Sequence, residues 1–174
     1  MLSNFDALNS NEIAEQLSNI CKNVVSKYDN KLNAYIASPW FDESALYLLN
    51  TVQTIDEILG ERNNFQMYYP RNNNYSNPED TFNANVNAIR DADIIIALIS
   101  RKDVGTAWEI GYAYALKKEI YLVGYDETCF KSKTNLMLAY TGKCFTIDKL
   151  DKFLTSGLDS SEFYYPERTW EDIE

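Results

Sequence analysis

The sequence contains no histidine at all. That absence removes Ser-His and Cys-His nucleophilic arrangements and most zinc sites together, leaving carboxylates, Tyr and Lys for acid–base work. Cysteine is scarce: Cys21, Cys129 and Cys144 are odd in number and share no close metal-ligand spacing. Neither a disulfide framework nor a metal site fits them, and they read as buried or half-buried thiols in a reducing compartment. Positive charge is also short, with 16 Lys and Arg against 26 Asp and Glu for a net charge of −10. A surface that tracks nucleic-acid phosphates needs clustered cations, so nucleic acid is not an expected partner, and small neutral or cationic ligands fit better. No apolar run reaches the roughly 18 residues of a membrane span, and Met1-Leu2-Ser3-Asn4 lacks a basic region followed by an apolar one. No membrane partner is expected, and the chain reads as cytoplasmic.

Aromatic residues, by contrast, are plentiful. A chain of 174 residues that is 45% hydrophobic and 14% aromatic can bury one real core and is too short for two comfortable ones. Leu32 to Ala37 is a short apolar run ended by Ser38-Pro39, and Leu46, Leu49, Val52, Ile55 and Leu59 then recur at helical spacing. Phe65 to Tyr69 reads as a second strand stopped by Pro70, followed by a polar loop over Arg71 to Asn77. Asn77-Pro78 supplies an N-cap and first-turn proline for a helix to about Arg90, with Phe82, Val86 and Ile89 as its inward stripe.

Asp93 to Ser100 has the continuous apolar centre of a strand covered on both faces, and a helix follows to about Lys118. A strand at Ile120 to Gly124, a helical turn at Asn135 to Tyr140, a strand near Lys143 to Ile147 and a short helix from Asp148 complete the alternation. This pattern predicts an α/β fold, a flavodoxin-like (Rossmann-like) open sheet of about five parallel strands with helices on both faces. The expected organisation is an N-terminal helical extension over residues 1–30, the α/β domain over 31–158 and a C-terminal tail over 159–174. Residues 10 to 28 carry an amphipathic stripe suited to packing, and Phe163, Tyr164, Tyr165 and Trp170 suggest that the tail docks on its own domain or on a neighbour.

Ligands of such sheets bind beyond the carboxyl ends of the strands where strand order reverses, which for the order 2-1-3-4-5 lies between the first and third strands. The loops leaving those strands are Ser38-Pro39-Trp40-Phe41-Asp42 and Arg101-Lys102-Asp103-Val104-Gly105, so aromatic surface and carboxylates converge on one crevice. Glu109 is the candidate for chemistry. Thr106-Ala107-Trp108-Glu109 also fits a capping box, which would give Glu109 a purely structural task. Asp103 equally fits a turn, Gly105 a permissive backbone, and Gly111 close packing of the helix on the sheet. Asn85, between Phe82 and Ile89, either faces inward toward a partner or ligand or lies solvated at the edge of the stripe. Asn135-Leu136-Met137 also reads as a helix cap followed by core residues.

Taken together, Tyr35-Ile36-Ala37-Ser38-Pro39-Trp40-Phe41, Asp103-Val104-Gly105, Glu109-Ile110-Gly111-Tyr112-Ala113 and Asn135-Leu136-Met137 resemble the nucleoside 2-deoxyribosyltransferases over about Leu32 to Ile147. The resemblance implies transfer of 2-deoxyribose between nucleobases through a covalent glutamyl–sugar intermediate with retention. It makes Glu109 the nucleophile, Tyr35 the group that orients it and Asp103 a contact to the sugar. Trp40, Phe41 and Asn74 would meet the base, while Asn135 and Met137 would complete the site of a neighbouring subunit. The implied partners are deoxyribonucleosides, free nucleobases and further copies of this chain in a homo-oligomer; no cofactor is implied. The chain departs from the pattern at Pro39, where a glycine is more usual, and at Asn85, which stands where the family carries an aspartate near the base. An amide can hydrogen-bond a base but cannot hand it an ionisable proton. Two other functions fit the same residues: an N-glycoside hydrolase using the same Glu109, and a non-catalytic nucleoside-binding module. The loop Ser38-Pro39-Trp40-Phe41 lacks the Gly/Ser/Arg-rich character expected of relatives that hold a nucleotide phosphate, which favours nucleosides.

Overall fold

A computed structural model describes residues 31–41, 43–73, 75–99, 103–131 and 135–164. The helical segment expected at 10–28, Cys21, Asn74 and the tail beyond 164 lie outside the described residues. Five parallel strands form one sheet: β1 (Leu32–Ala37), β2 (Phe65–Tyr68), β3 (Ile94–Leu98), β4 (Glu119–Gly124) and β5 (Lys143–Thr146). Their order is β2-β1-β3-β4-β5, so the reversal between β1 and β3 stands where the sequence puts it.

The helices α1 (Glu43–Leu59), α2 (Pro78–Asp91), α3 (Val104–Ala115), α4 (Thr128–Lys131), α5 (Leu136–Ala139) and α6 (Leu150–Ser156) connect and cover the strands. Successive strand residues point to opposite faces, and the core divides accordingly. Ala34, Ile36, Ile96 and Val123 meet Leu48 and Val52 of α1 and Leu150, Phe153 and Leu154 of α6 on one face. Tyr35, Ala37, Ile95 and Leu122 meet Ile89 of α2, Ile110 and Ala113 of α3 and Phe130 of α4 on the other.

Local chemistry fixes the helix ends. The Asn77 side chain accepts from the Glu79 and Asp80 amides and Pro78 opens the first turn, as its sequence foretells. The helix α3 is shorter than its periodicity implies, because Lys117 takes a left-handed conformation (φ 58°) and stops it. Lys118 then leaves the helix, and its Nζ donates to the carbonyls of Arg90 and Ala92 at 2.6 and 2.7 Å, closing the end of α2. Two expectations for helix faces are corrected. Phe82 does not join the buried stripe of α2; it is 54% exposed and tilts against the Trp108 ring at 5.7 Å. Gly111 is exposed, and a Cβ built there meets nothing within 4 Å, so close packing on the sheet is not its reason. Cys129 is half-buried and Cys144 buried. The described part of the tail does dock on its own domain: Tyr164 bridges to Cys144 and stacks on Phe130 at 5.6 Å, while Phe163 packs on the α6 side.

Candidate active site

Tyr35 lies fully buried in the middle of β1. A buried phenol must place its hydroxyl against a partner, and that partner is Glu109 in the second turn of α3: Tyr35 Oη donates to Glu109 Oε1 at 2.5 Å. Burial pushes the Glu109 carboxyl up to about 7; the Tyr35 hydrogen bond opposes the rise, and the like charge of Asp103 adds to it. The Tyr35 hydroxyl is held well above the ordinary phenol range by burial first, then by the Glu109 charge and the bond it donates to it. Among the described residues Glu109 Oε2 accepts no hydrogen bond.

The capping box expected at Thr106 and Glu109 does not form. Asp103 is the N-cap of α3, its Oδ2 accepting from the Thr106 amide at 2.6 Å and the Thr106 hydroxyl at 2.8 Å. A carboxylate three residues ahead of Thr106 satisfies the helix amides, so the true cap lies one turn earlier and leaves Glu109 free to turn toward β1. Gly105 is helical, with no positive φ, and a Cβ there would sit 3.2 Å from Asp103 Oδ2. Its lack of a side chain makes room for the cap. Asp103 Oδ1 has no hydrogen-bond partner among the described residues.

Beside this pair stands Tyr68, a residue not singled out from the sequence. In the parallel register of β1 and β2 it pairs with Tyr35, and the two rings stack with centroids 5.5 Å apart at 15°. Its hydroxyl donates to Asn85 Oδ1 at 3.2 Å, so Asn85 is half-buried and partnered. An inference from strand order could have found Tyr68, because adjacent parallel strands bring side chains of equal register onto one face.

The remaining candidates make no described hydrogen bond or ring contact with this array. Trp40 packs on the α1 and α6 side of the core and stacks on the exposed Phe41 at 4.4 Å, and no described contact links either ring to Glu109, Tyr35 or Asn85. Asn135 caps α5, its Oδ1 accepting from the Met137 amide at 2.9 Å, and Met137 is 75% exposed. Asn74 lies outside the described residues. No group of three or more His, Cys, Asp and Glu is placed to hold a metal ion among the described residues.

The sequence profile of the nucleoside 2-deoxyribosyltransferases matches residues 34–146, the segment that holds Tyr35, Tyr68, Asn85, Asp103 and Glu109. Among solved structures, a 2-deoxyribosyltransferase from Bacillus psychrosaccharolyticus is similar at 23% identity and a TM-score of 0.57, over 74% of this chain and 93% of that one. A CMP N-glycosidase from Clostridium botulinum is similar at 19% identity and a TM-score of 0.50, over 70% of this chain and 99% of that one. These likenesses speak for a common fold. A search of curated protein sequences finds no match to this chain. With the profile matching well over half of its length, the chain belongs to the nucleoside 2-deoxyribosyltransferase family.

Proposed function

We propose that the protein exchanges nucleobases on 2-deoxyribose by way of a covalent glutamyl–deoxyribose intermediate. The observation that carries this reading is the half-buried Glu109 carboxyl held through one oxygen by Tyr35. Glu109 Oε2 attacks C1′ as the bond to the departing base breaks with oxocarbenium character, and the bond's electron pair leaves with that base. A second base then displaces Glu109 from the same face that the first one left, so the configuration is retained. The Tyr35 hydrogen bond fixes the carboxylate's orientation and stabilises its charged, reactive form against burial. Asp103, with Oδ2 committed to the helix cap, offers Oδ1 to a sugar hydroxyl.

Trp40, Phe41 and Asn74 are assigned to the base, where aromatic surface can stack on any base. A homo-oligomer is part of the same reading, with Asn135 and Met137 entering a neighbour's site. Support comes from the outward side of α3, where Val104 (83%), Trp108 (48%) and Tyr114 (60%) are exposed around Gly111. A helix apolar on all sides is usually covered on all sides.

Thymidine incubated with free adenine tests the reading. Formation of deoxyadenosine supports transfer, whereas thymine and free sugar alone mean that water takes the sugar, as an N-glycosidase on this fold would allow. If neither forms with any donor base, the protein is a nucleoside-binding module. Glu109→Ala is expected to abolish product formation in a protein that still folds.

A further inference from the structure

The amide of Asn85 has two faces to offer, an oxygen that accepts and an NH2 that donates, and its surroundings decide between them. Tyr68 Oη lies 3.2 Å from Asn85 Oδ1. A phenol hydroxyl has one proton to give, and Tyr68 Oη gives it to Asn85 Oδ1. The ring that carries this hydroxyl is fixed as well, by its stack on Tyr35 and its place in the β1–β2 register. The Asn85 oxygen is therefore occupied, while its Nδ2 has no partner among the described residues.

We propose that Tyr68 is a positioning residue that turns the Asn85 amide so that its NH2 edge, and not its oxygen, meets the departing base. The proposal rests on the base-exchange reading above and says which bases that site favours. As Glu109 bonds to C1′ and the C1′–N bond breaks, the electron pair moves onto the base, which leaves as an anion. Asn85 Nδ2–H donates to an acceptor on that anion, a carbonyl oxygen or a bare ring nitrogen, without giving up the proton. The departing base takes its proton from water, and the incoming base releases one, so the exchange balances. A neutral donor stabilises a developing negative charge but does not supply acid, so bases that form stable anions are the good leaving groups.

The test uses the full-length protein with a series of 5-substituted 2′-deoxyuridines of graded base acidity, in wild type, Tyr68→Phe, Asn85→Ala, Asn85→Asp and the double variant Tyr68→Phe/Asn85→Ala. The expected wild-type kcat/KM rises steeply with base acidity, and Asn85→Asp flattens the dependence below the pH at which the new carboxyl ionises. Tyr68→Phe keeps the ring stack and is expected to lower kcat/KM about tenfold, the worth of one well-placed hydrogen bond. In the Asn85→Ala background the same change is expected to cost less than about twofold, because its target is gone. An equal loss in both backgrounds, or a wild type indifferent to base acidity, overturns the proposal. Calorimetric binding of thymidine to Glu109→Gln, with and without Asn85→Ala, separates this inference from the reading beneath it. If the wild type turns over no nucleoside, base exchange fails; unchanged thymidine affinity on removing Asn85 overturns the donor role with or without turnover.

Discussion

Replacing Glu109 by Gln is expected to stabilise the fold, and to do so only at neutral and alkaline pH. The carboxyl stands at about 7 in the folded protein against an ordinary 4.5. The folded state therefore keeps a proton that the unfolded chain has already released between those values, and stability falls as pH rises across that window. Below about 4.5 the cost is absent, and above about 7 it is complete. At about 1.36 kcal/mol per pKa unit the displacement corresponds to roughly 3 kcal/mol. Solvent reaching the half-buried side chain trims this to about 2 kcal/mol. Gln is nearly isosteric, and its amide oxygen still accepts from Tyr35 Oη, so the comparison isolates the charge. Urea unfolding of both proteins at about pH 5 and about pH 8 measures the effect. The variant should match the wild type within about 1 kcal/mol at the lower pH and exceed it by about 2 kcal/mol at the higher. The same difference between the two proteins at both pH values would refute the reasoning, because an unperturbed carboxyl has no such window.

The acid limb of kcat/KM should fall near pH 7, where the free enzyme's Glu109 ionises, and a pH–rate profile reads it directly. Tyr35→Phe removes the one interaction that lowers this value and is expected to move the limb upward, whereas Asp103→Asn keeps a competent N-cap, removes the like charge and moves it downward. Gly105→Ala presses a methyl group 3.2 Å from the Asp103 cap and is expected to cost about 1 kcal/mol in thermal unfolding, comparable to losing the cap. Gly111→Arg, placed in open space on the exposed side of α3, should leave folding intact and shift light-scattering mass toward the monomer.

Much of the fold is legible in the sequence because its signals are local and redundant. The continuous apolar centre of β3, the Asn77-Pro78 start of α2 and the strand–helix alternation each predict one arrangement, and the observed sheet order agrees with all of them. The start of α3 misleads because two capping signals overlap: Thr106 with Glu109, and Asp103 with Thr106. The carboxylate wins by accepting both the amide and the hydroxyl of Thr106. The faces of α2 and α3 mislead differently, since periodicity says that a stripe exists and not what covers it. Phe82 finds Trp108 where the stripe implies the sheet, and Gly111 faces open space. Tyr68 is invisible to any local reading. Its meaning comes from the pairing of β1 with β2, which sets it beside Tyr35, and from a bond to Asn85 seventeen residues further on.

The central claim is that Glu109 carries the sugar. Intact-protein mass spectrometry after mixing with a 2′-fluoro-2′-deoxynucleoside tests it, because the fluorine disfavours the oxocarbenium-like state through which the intermediate breaks down. A mass increase of one fluorinated sugar, mapped to the peptide containing Glu109 and absent from Glu109→Gln, is the expected result. Release of the base with no adduct, together with near-normal turnover by Glu109→Gln on ordinary deoxynucleosides, would contradict it.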